Sequence, residues 1–152
     1  MRIVFVTLGR FKSDACERLF VHYLKLMGRF ADASHESLAT RGRDAEERDA
    51  AVLEWLDRRG ARACLTVLDE KGHAMDSRAF ASHVEKIRDS SPSEWIVLCG
   101  AEHGFGESVK ARARQVLSLS AFTFPHELAA VVASEQVFRA LSILSRHPYH
   151  NG

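Results

Sequence analysis

Three histidines, His126, His147 and His150, fall with Tyr149 in the C-terminal segment. The His147-Pro-Tyr-His150 spacing suggests a metal ligand pair. However, Pro148 breaks regular helical spacing, and no acidic or cysteine set stands nearby to complete a zinc site, so no metal is expected. Chain ends are usually mobile, yet Pro, Tyr and His are an unusual ending if nothing receives them. Upstream, Glu135 and Arg139 are four apart with the acid first, the favourable order on a helix. They sit within Leu128 to Leu144, a stretch apolar nearly all round, where a charged pair is costly without a cleft or a partner. A further candidate is the loop Gly100-Ala-Glu-His-Gly-Phe-Gly106, whose backbone N–H groups could meet a carboxylate or phosphate. Its spacing is neither G-x-G-x-x-G nor G-x-x-x-x-G-K-[ST], which argues against dinucleotide and P-loop chemistry. A plain tight turn accounts for it about as well.

These groups need a frame, and the hydrophobic pattern supplies one. Arg2 to Leu8 is a β-branched and aromatic run of the kind buried on both faces of a sheet. Asp14 and Glu17 open a helix on which Cys16, Leu19, Phe20, Tyr23, Leu24 and Met27 recur at three- and four-residue steps, ending at Gly28. Phe30 to Leu38 is a weaker strand, and Arg41-Gly42-Arg43 reads as an exposed basic loop. A second helix spans Ala45 to Arg59, followed by a strand from Ala63 to Leu68 that ends in the turn Asp69-Glu70-Lys71-Gly72. Asp76 or Ser77 caps a third helix bearing Phe80, Val84 and Ile87. Trp95 to Cys99 is the next strand, and a helix is expected from about Glu107 to Val116. Leu117 to Phe124 is β-prone, Pro125 and His126 end it, and a last helix runs from Leu128 to Leu144.

Strand and helix alternate throughout. That order implies an α/β fold with a largely parallel sheet, helices on both faces, and ligands beyond the carboxyl ends of the strands. General rules of chain connection would leave it unknotted. The last helix is either a core helix or one shared between the core and a homodimer interface, and the buried charged pair favours the second.

A chain of 152 residues with 46% hydrophobic content is the size of one domain with a real core. Lys and Arg total 21 against 20 Asp and Glu, so the whole protein exerts no strong pull on nucleic acid or on an anionic membrane. Any RNA contact must then be local. Cys16, Cys64 and Cys99 lie far apart beside apolar segments, as expected of reduced thiols rather than a disulfide framework. The N-terminal run is too short for a signal peptide, and no apolar run approaches the roughly 20 residues of a membrane span, so a cytoplasmic protein is expected.

Ser118-Leu119-Ser120, Thr123-Phe124-Pro125-His126, Glu135, Arg139-Ala140 and Tyr149-His150 together carry a resemblance. In them the chain resembles the bacterial large-subunit ribosomal RNA pseudouridine methyltransferases of the RlmH type, a branch of the SPOUT (α/β-knot) methyltransferases. The likeness extends in outline over the whole chain and is specific also at Leu65 to Gly72 and Trp95 to Gly100.

The resemblance implies a homodimeric single-domain α/β knot, with a C-terminal trefoil knot that holds S-adenosylmethionine in a bent conformation. By position, the cofactor-binding residues would be Leu68, Gly100, Leu119, Ser120, Ala121, Phe122, Thr123 and Phe124. Their backbone groups would hold the adenine and methionine moieties, and apolar side chains would enclose the ring. The implied reaction is methyl transfer to N3 of a pseudouridine in 23S ribosomal RNA, with the ribosome as partner. The weakly acidic imide N3–H needs a base, and neutral His suits that role near pH 7. His150 is the first candidate, with Tyr149 positioning or stacking on the flipped base. Arg139 would stabilise charge on the base carbonyls or anchor a phosphate, and Glu135 would orient Arg139. Departures from the family pattern are the Glu102-His103 loop, Ala130 where a phosphate-facing Arg is usual, Glu127 after the histidine, Asn151 at the end, and the near-neutral charge. Two other readings remain: a methyltransferase of this fold acting on another RNA, and a ribosome- or RNA-binding dimer that has lost catalysis. A flavodoxin-like phosphate binder rests on the Gly100 loop alone.

Overall fold

The computed structural model describes residues 1–39, 44–100 and 104–150. The basic stretch Arg41-Gly42-Arg43, the Glu102-His103 pair and Asn151 lie outside the described residues. In chain order the elements are β1 (Arg2–Leu8), α1 (Asp14–Met27), β2 (Asp32–Leu38), α2 (Ala45–Asp57), β3 (Cys64–Ala74), α3 (Ser77–Asp89), β4 (Trp95–Cys99), α4 (Glu107–Lys110), β5 (Gln115–Ser118) and α5 (His126–Leu144). The strands form a five-stranded sheet in the order β2-β1-β4-β3-β5, and every pairing is parallel.

The pleat explains the continuous apolar runs. Val4, Val6, Leu65, Val67, Ile96 and Leu98 pack on one face with Val52, Trp55 and Leu56 of α2. Ile3, Phe5, Trp95, Val97 and Cys99 face the other way, onto α1, α3 and α5. A strand buried on both faces cannot alternate apolar and polar residues, which is why β1 and β4 read as they do. In the interior, Trp95 Nε1 donates to Thr66 Oγ1 at 2.9 Å, which satisfies both polar atoms.

α5 packs against both α1 and α3 and crosses β4. Those two helices supply, within one chain, the cover on two sides that its apolar sequence demands. Its start is also tied down. Glu127 accepts from the backbone N–H of Lys12 at 2.6 Å and of Ser13 at 3.0 Å, so one carboxylate joins the first turn of α5 to the entrance of α1. The cap of α1 itself is Ser13, whose hydroxyl accepts from Cys16 N–H, one residue earlier than the Asp14 signal implied.

Three elements differ from the expected ones for local reasons. The expected strand from Leu117 to Phe124 stops at Ser118. Beyond it, Ser118 Oγ donates to the Ser120 carbonyl and Phe122 N–H donates to Ser120 Oγ, so side chains compete with the ladder and turn the chain. The expected helix from Glu107 to Val116 ends at Lys110 because Arg114 N–H already donates to Leu65 O, which draws the chain into the sheet beside β3. β3 does not end at Leu68. Its register with β5 jumps between Leu68 and His73, and the expected turn 69–72 forms an excursion within the strand. Gly72 permits this, since a Cβ there would lie 2.6 Å from the Leu117 backbone.

Candidate active site

Parallel strands bring their carboxyl ends to one edge of the sheet, and the positions singled out for a cofactor gather there. Leu68 pairs with Leu117, and Val67 with Leu98, so the ends of β3, β4 and β5 are adjacent. Leu68 and Leu119 line a cavity of about 50 Å³ together with Trp95, Ala133, Gln136 and Val137. Gly100, at the end of β4, has φ +75°, and a Cβ on it would lie 2.9 Å from His126 Cβ at the start of α5. The left-handed backbone and this close approach both require glycine. Ser120 and Phe124 are half-buried, whereas Ala121, Phe122 and Thr123 are exposed. Phe122 is 80% exposed, so its ring encloses nothing in this structure.

The second group of sequence candidates forms a single cluster. Glu135 Oε1 accepts from Arg139 Nε at 3.0 Å and also from Arg139 Nη2. The same oxygen accepts from the Tyr149 hydroxyl at 3.0 Å. The Arg139 guanidinium stands 5.0 Å over the Tyr149 ring, and its Nη1 lies 3.4 Å from His150 Nδ1. Arg146 adopts a left-handed φ of 53°, and His147 N–H donates to Ser142 O at 2.8 Å, so the chain reverses and lays the tail back on α5. The Tyr149 ring then meets Phe138 edge-on with centroids 4.6 Å apart. The Pro-Tyr-His ending is therefore received by the fold.

The electrostatics follow from these contacts. Burial pushes the Tyr149 hydroxyl well above its ordinary range, helped by hydrogen bonds with Tyr23 and Glu135, so it remains a donor. The Glu135 carboxylate holds Arg139 above the usual arginine value, against the effect of burial. A neutral imidazole that accepts from Arg139 at Nδ1 carries its proton on Nε2. Gln136 links the two halves of the site: its Nε2 donates to Glu135 Oε2 at 2.6 Å, its Oε1 accepts from Ser77 Oγ at 3.0 Å, and it lines the cavity beside Leu68 and Leu119.

The structure bears on two of the sequence readings. In the described part of the glycine loop the Gly106 N–H donates to Asp49 Oδ2 at 2.6 Å, so this amide is satisfied within the protein and does not cradle a phosphate. Ala130 is fully buried in α5, so that position faces the core and no phosphate. Sequence reading missed the roles of Asp49, Asp69, Glu127 and Gln136. Each bonds to a partner distant in the chain, and residue type alone marks none of them. Among the described residues, no three His, Cys, Asp or Glu side chains gather to hold a metal ion, and no helix is long and apolar enough to cross a membrane.

Comparison with known proteins fits this arrangement. Residues 1–150 match the family model described as "Predicted SPOUT methyltransferase". The chain belongs to the SPOUT methyltransferase family. Its relatives include the ribosomal RNA large subunit methyltransferase H of Nitrobacter winogradskyi, 36% identical with all of both chains covered. The protein of the same name from Agrobacterium fabrum is 34% identical over 99% of each chain. That from Trichlorobacter lovleyi is 32% identical over 99% of this chain and 100% of its own. This protein is thus a SPOUT methyltransferase.

Proposed function

We propose that this protein transfers the methyl group of S-adenosylmethionine to N3 of a pseudouridine in 23S ribosomal RNA, acting as a cytoplasmic homodimer on the assembled ribosome. The observation that carries this reading is the end-to-end match to relatives named for ribosomal RNA large subunit methylation, over 99% or more of each chain. The tail that bears Tyr149 and His150 lies on the Glu135–Arg139 pair, which supports a built catalytic cluster there.

The residues at the strand ends suit a neutral ring and a sulfonium. Leu68 and Leu119 offer apolar walls, Gly100 presents bare backbone, and Leu119 to Phe124 is a loop shaped by serine side chains instead of a ladder. When bound, the cofactor supplies an electrophilic methyl group whose leaving group is a neutral thioether. The protein's own part is the proton and the charge. As N3 attacks, its proton must leave, and His150 accepts it. In the free enzyme Arg139 occupies His150 Nδ1. A base carbonyl that takes over the Arg139 N–H frees that lone pair for the N3 proton and stabilises the charge spreading onto the carbonyl. Tyr149 stacks on or positions the base, and Glu135 holds both Arg139 and the Tyr149 hydroxyl in place.

The knot and the dimer belong to the same proposal. β5 lies outside β3, yet α5 returns over β4 between α1 and α3, and the Gly72 and Leu117 backbones pass in close contact. These relations support a threaded C-terminal segment. Leu19 and Val21 on α1 and Leu128 on α5 are exposed apolar side chains on neighbouring helices. The deciding experiment is transfer of labelled methyl from S-adenosylmethionine to 70S ribosomes lacking this modification, with the label mapped to a nucleotide. Label on N3 of a 23S pseudouridine is expected. Label only on another RNA, or none despite cofactor binding, would overturn the substrate assignment.

A further inference from the structure

Asp69 follows Leu68 directly, and its side chain is only 2% exposed at the point where the loops of the sheet's carboxyl edge meet. Its Oδ2 lies 2.9 Å from Lys110 Nζ of α4. Its Oδ1 accepts from Lys71 N–H at 2.9 Å, within the excursion of β3. Gly104, with φ +74°, lies so close that a Cβ would stand 2.8 Å from Asp69 Oδ2. On the far side of the same excursion, Gly72 abuts the Leu117 backbone at the end of β5.

A buried carboxylate costs desolvation, and an ion pair repays that cost poorly as a source of stability alone. What this pair does is spatial. It fastens the excursion within β3 to α4 beyond β4, and Gly72 of that excursion bears on the β5 backbone at Leu117. Burial pushes the Asp69 carboxyl up, but Lys110 and the Lys71 N–H outweigh it and hold the acid below the usual range, so the pair stays ionised near neutrality.

We propose that Asp69 and Lys110 are positioning residues for the methyl donor: their ion pair sets the distance between the backbone at Leu68 and the backbone at Gly100. This rests on the cofactor site proposed above. Neither side chain need touch the ligand.

The test is calorimetric titration of the full-length protein with S-adenosylmethionine, together with steady-state kinetics on ribosomes. Asp69→Asn keeps size and one acceptor while removing the charge, and Lys110→Met removes the other charge from a site at the molecular surface. Each is expected to raise the cofactor Kd and KM about tenfold while kcat at saturating cofactor stays within about twofold. The double variant should be no worse than either single one, and Lys110→Arg should recover most of the affinity. Folded variants that bind with the wild-type Kd, even at lower Tm, would overturn the proposal and leave the pair a structural contact. Absence of saturable binding by the wild type itself would overturn the cofactor site and this inference with it.

Discussion

The Tyr149 hydroxyl and the Glu135 carboxylate are joined by a 3.0 Å hydrogen bond that closes the C-terminal tail onto α5. Glu135 Oε1 is thereby shared between a tyrosine and a guanidinium. Tyr149→Phe keeps the ring against Phe138 and under Arg139 while removing the donor. The expected cost is about 1 kcal/mol, or roughly 2–4 °C in Tm for a protein of this size. Glu135→Ala should cost more, because it leaves Arg139 without its carboxylate. Equal Tm values for Tyr149→Phe and wild type in thermal melts would show that the hydroxyl bond does not hold the tail.

His150 tests the catalytic assignment apart from the fold. Its ring meets Arg139 at 3.4 Å, and the core below is built by other residues. His150→Ala should lower turnover by about 10² to 10⁴, the usual worth of a general base. The cofactor Kd should stay within about twofold of wild type, a bound set by the separation of the two clusters along α5. Methyl transfer by the variant at the wild-type rate would remove His150 from the mechanism.

The sheet was legible because burial on both faces writes itself into β1, β3 and β4 as unbroken apolar runs, and α3 was legible from its aspartate cap, Asp76. The Glu135–Arg139 pair was legible from spacing alone. Local pattern could not reveal competition with distant partners. The Arg114 amide is claimed by Leu65, which truncates α4, and the Gly106 amide is claimed by Asp49, which turns an apparent anion loop into a clasp. The apolar circumference of α5 was likewise ambiguous, since sequence alone could not place α1 and α3 against it.

Gly100 and Gly9 separate two effects that usually act together. Both have left-handed φ, +75° and +83°, but a Cβ on Gly9 meets nothing within 4 Å whereas one on Gly100 reaches 2.9 Å from His126 Cβ. Gly9→Ala should therefore cost only the backbone strain of about 1–2 kcal/mol. Gly100→Ala should cost more and also weaken cofactor binding, because the β4 end and the start of α5 must part. Urea denaturation and titration with S-adenosylmethionine read the two quantities. Equal losses of stability with unchanged affinity would place the Gly100 backbone outside the site.

Glu127 gives the fold a pH dependence whose sign can be worked out. Its carboxyl is held below the usual range, first by the Lys12 N–H and then by the Ser13 N–H, His126 and Lys12 charges, against the opposing effect of burial. The folded protein thus binds that proton less readily than the unfolded chain. The contribution to stability is complete above the unfolded value, near pH 4.3, and is lost as pH falls through the folded one. Glu127→Gln keeps the shape and lacks this term. The Tm difference between wild type and Glu127→Gln should be largest near pH 7, hold down to about pH 5, and shrink toward zero below about pH 4. A difference that stayed constant from pH 7 to pH 3 would mean that the carboxylate's charge contributes nothing to joining α5 to α1.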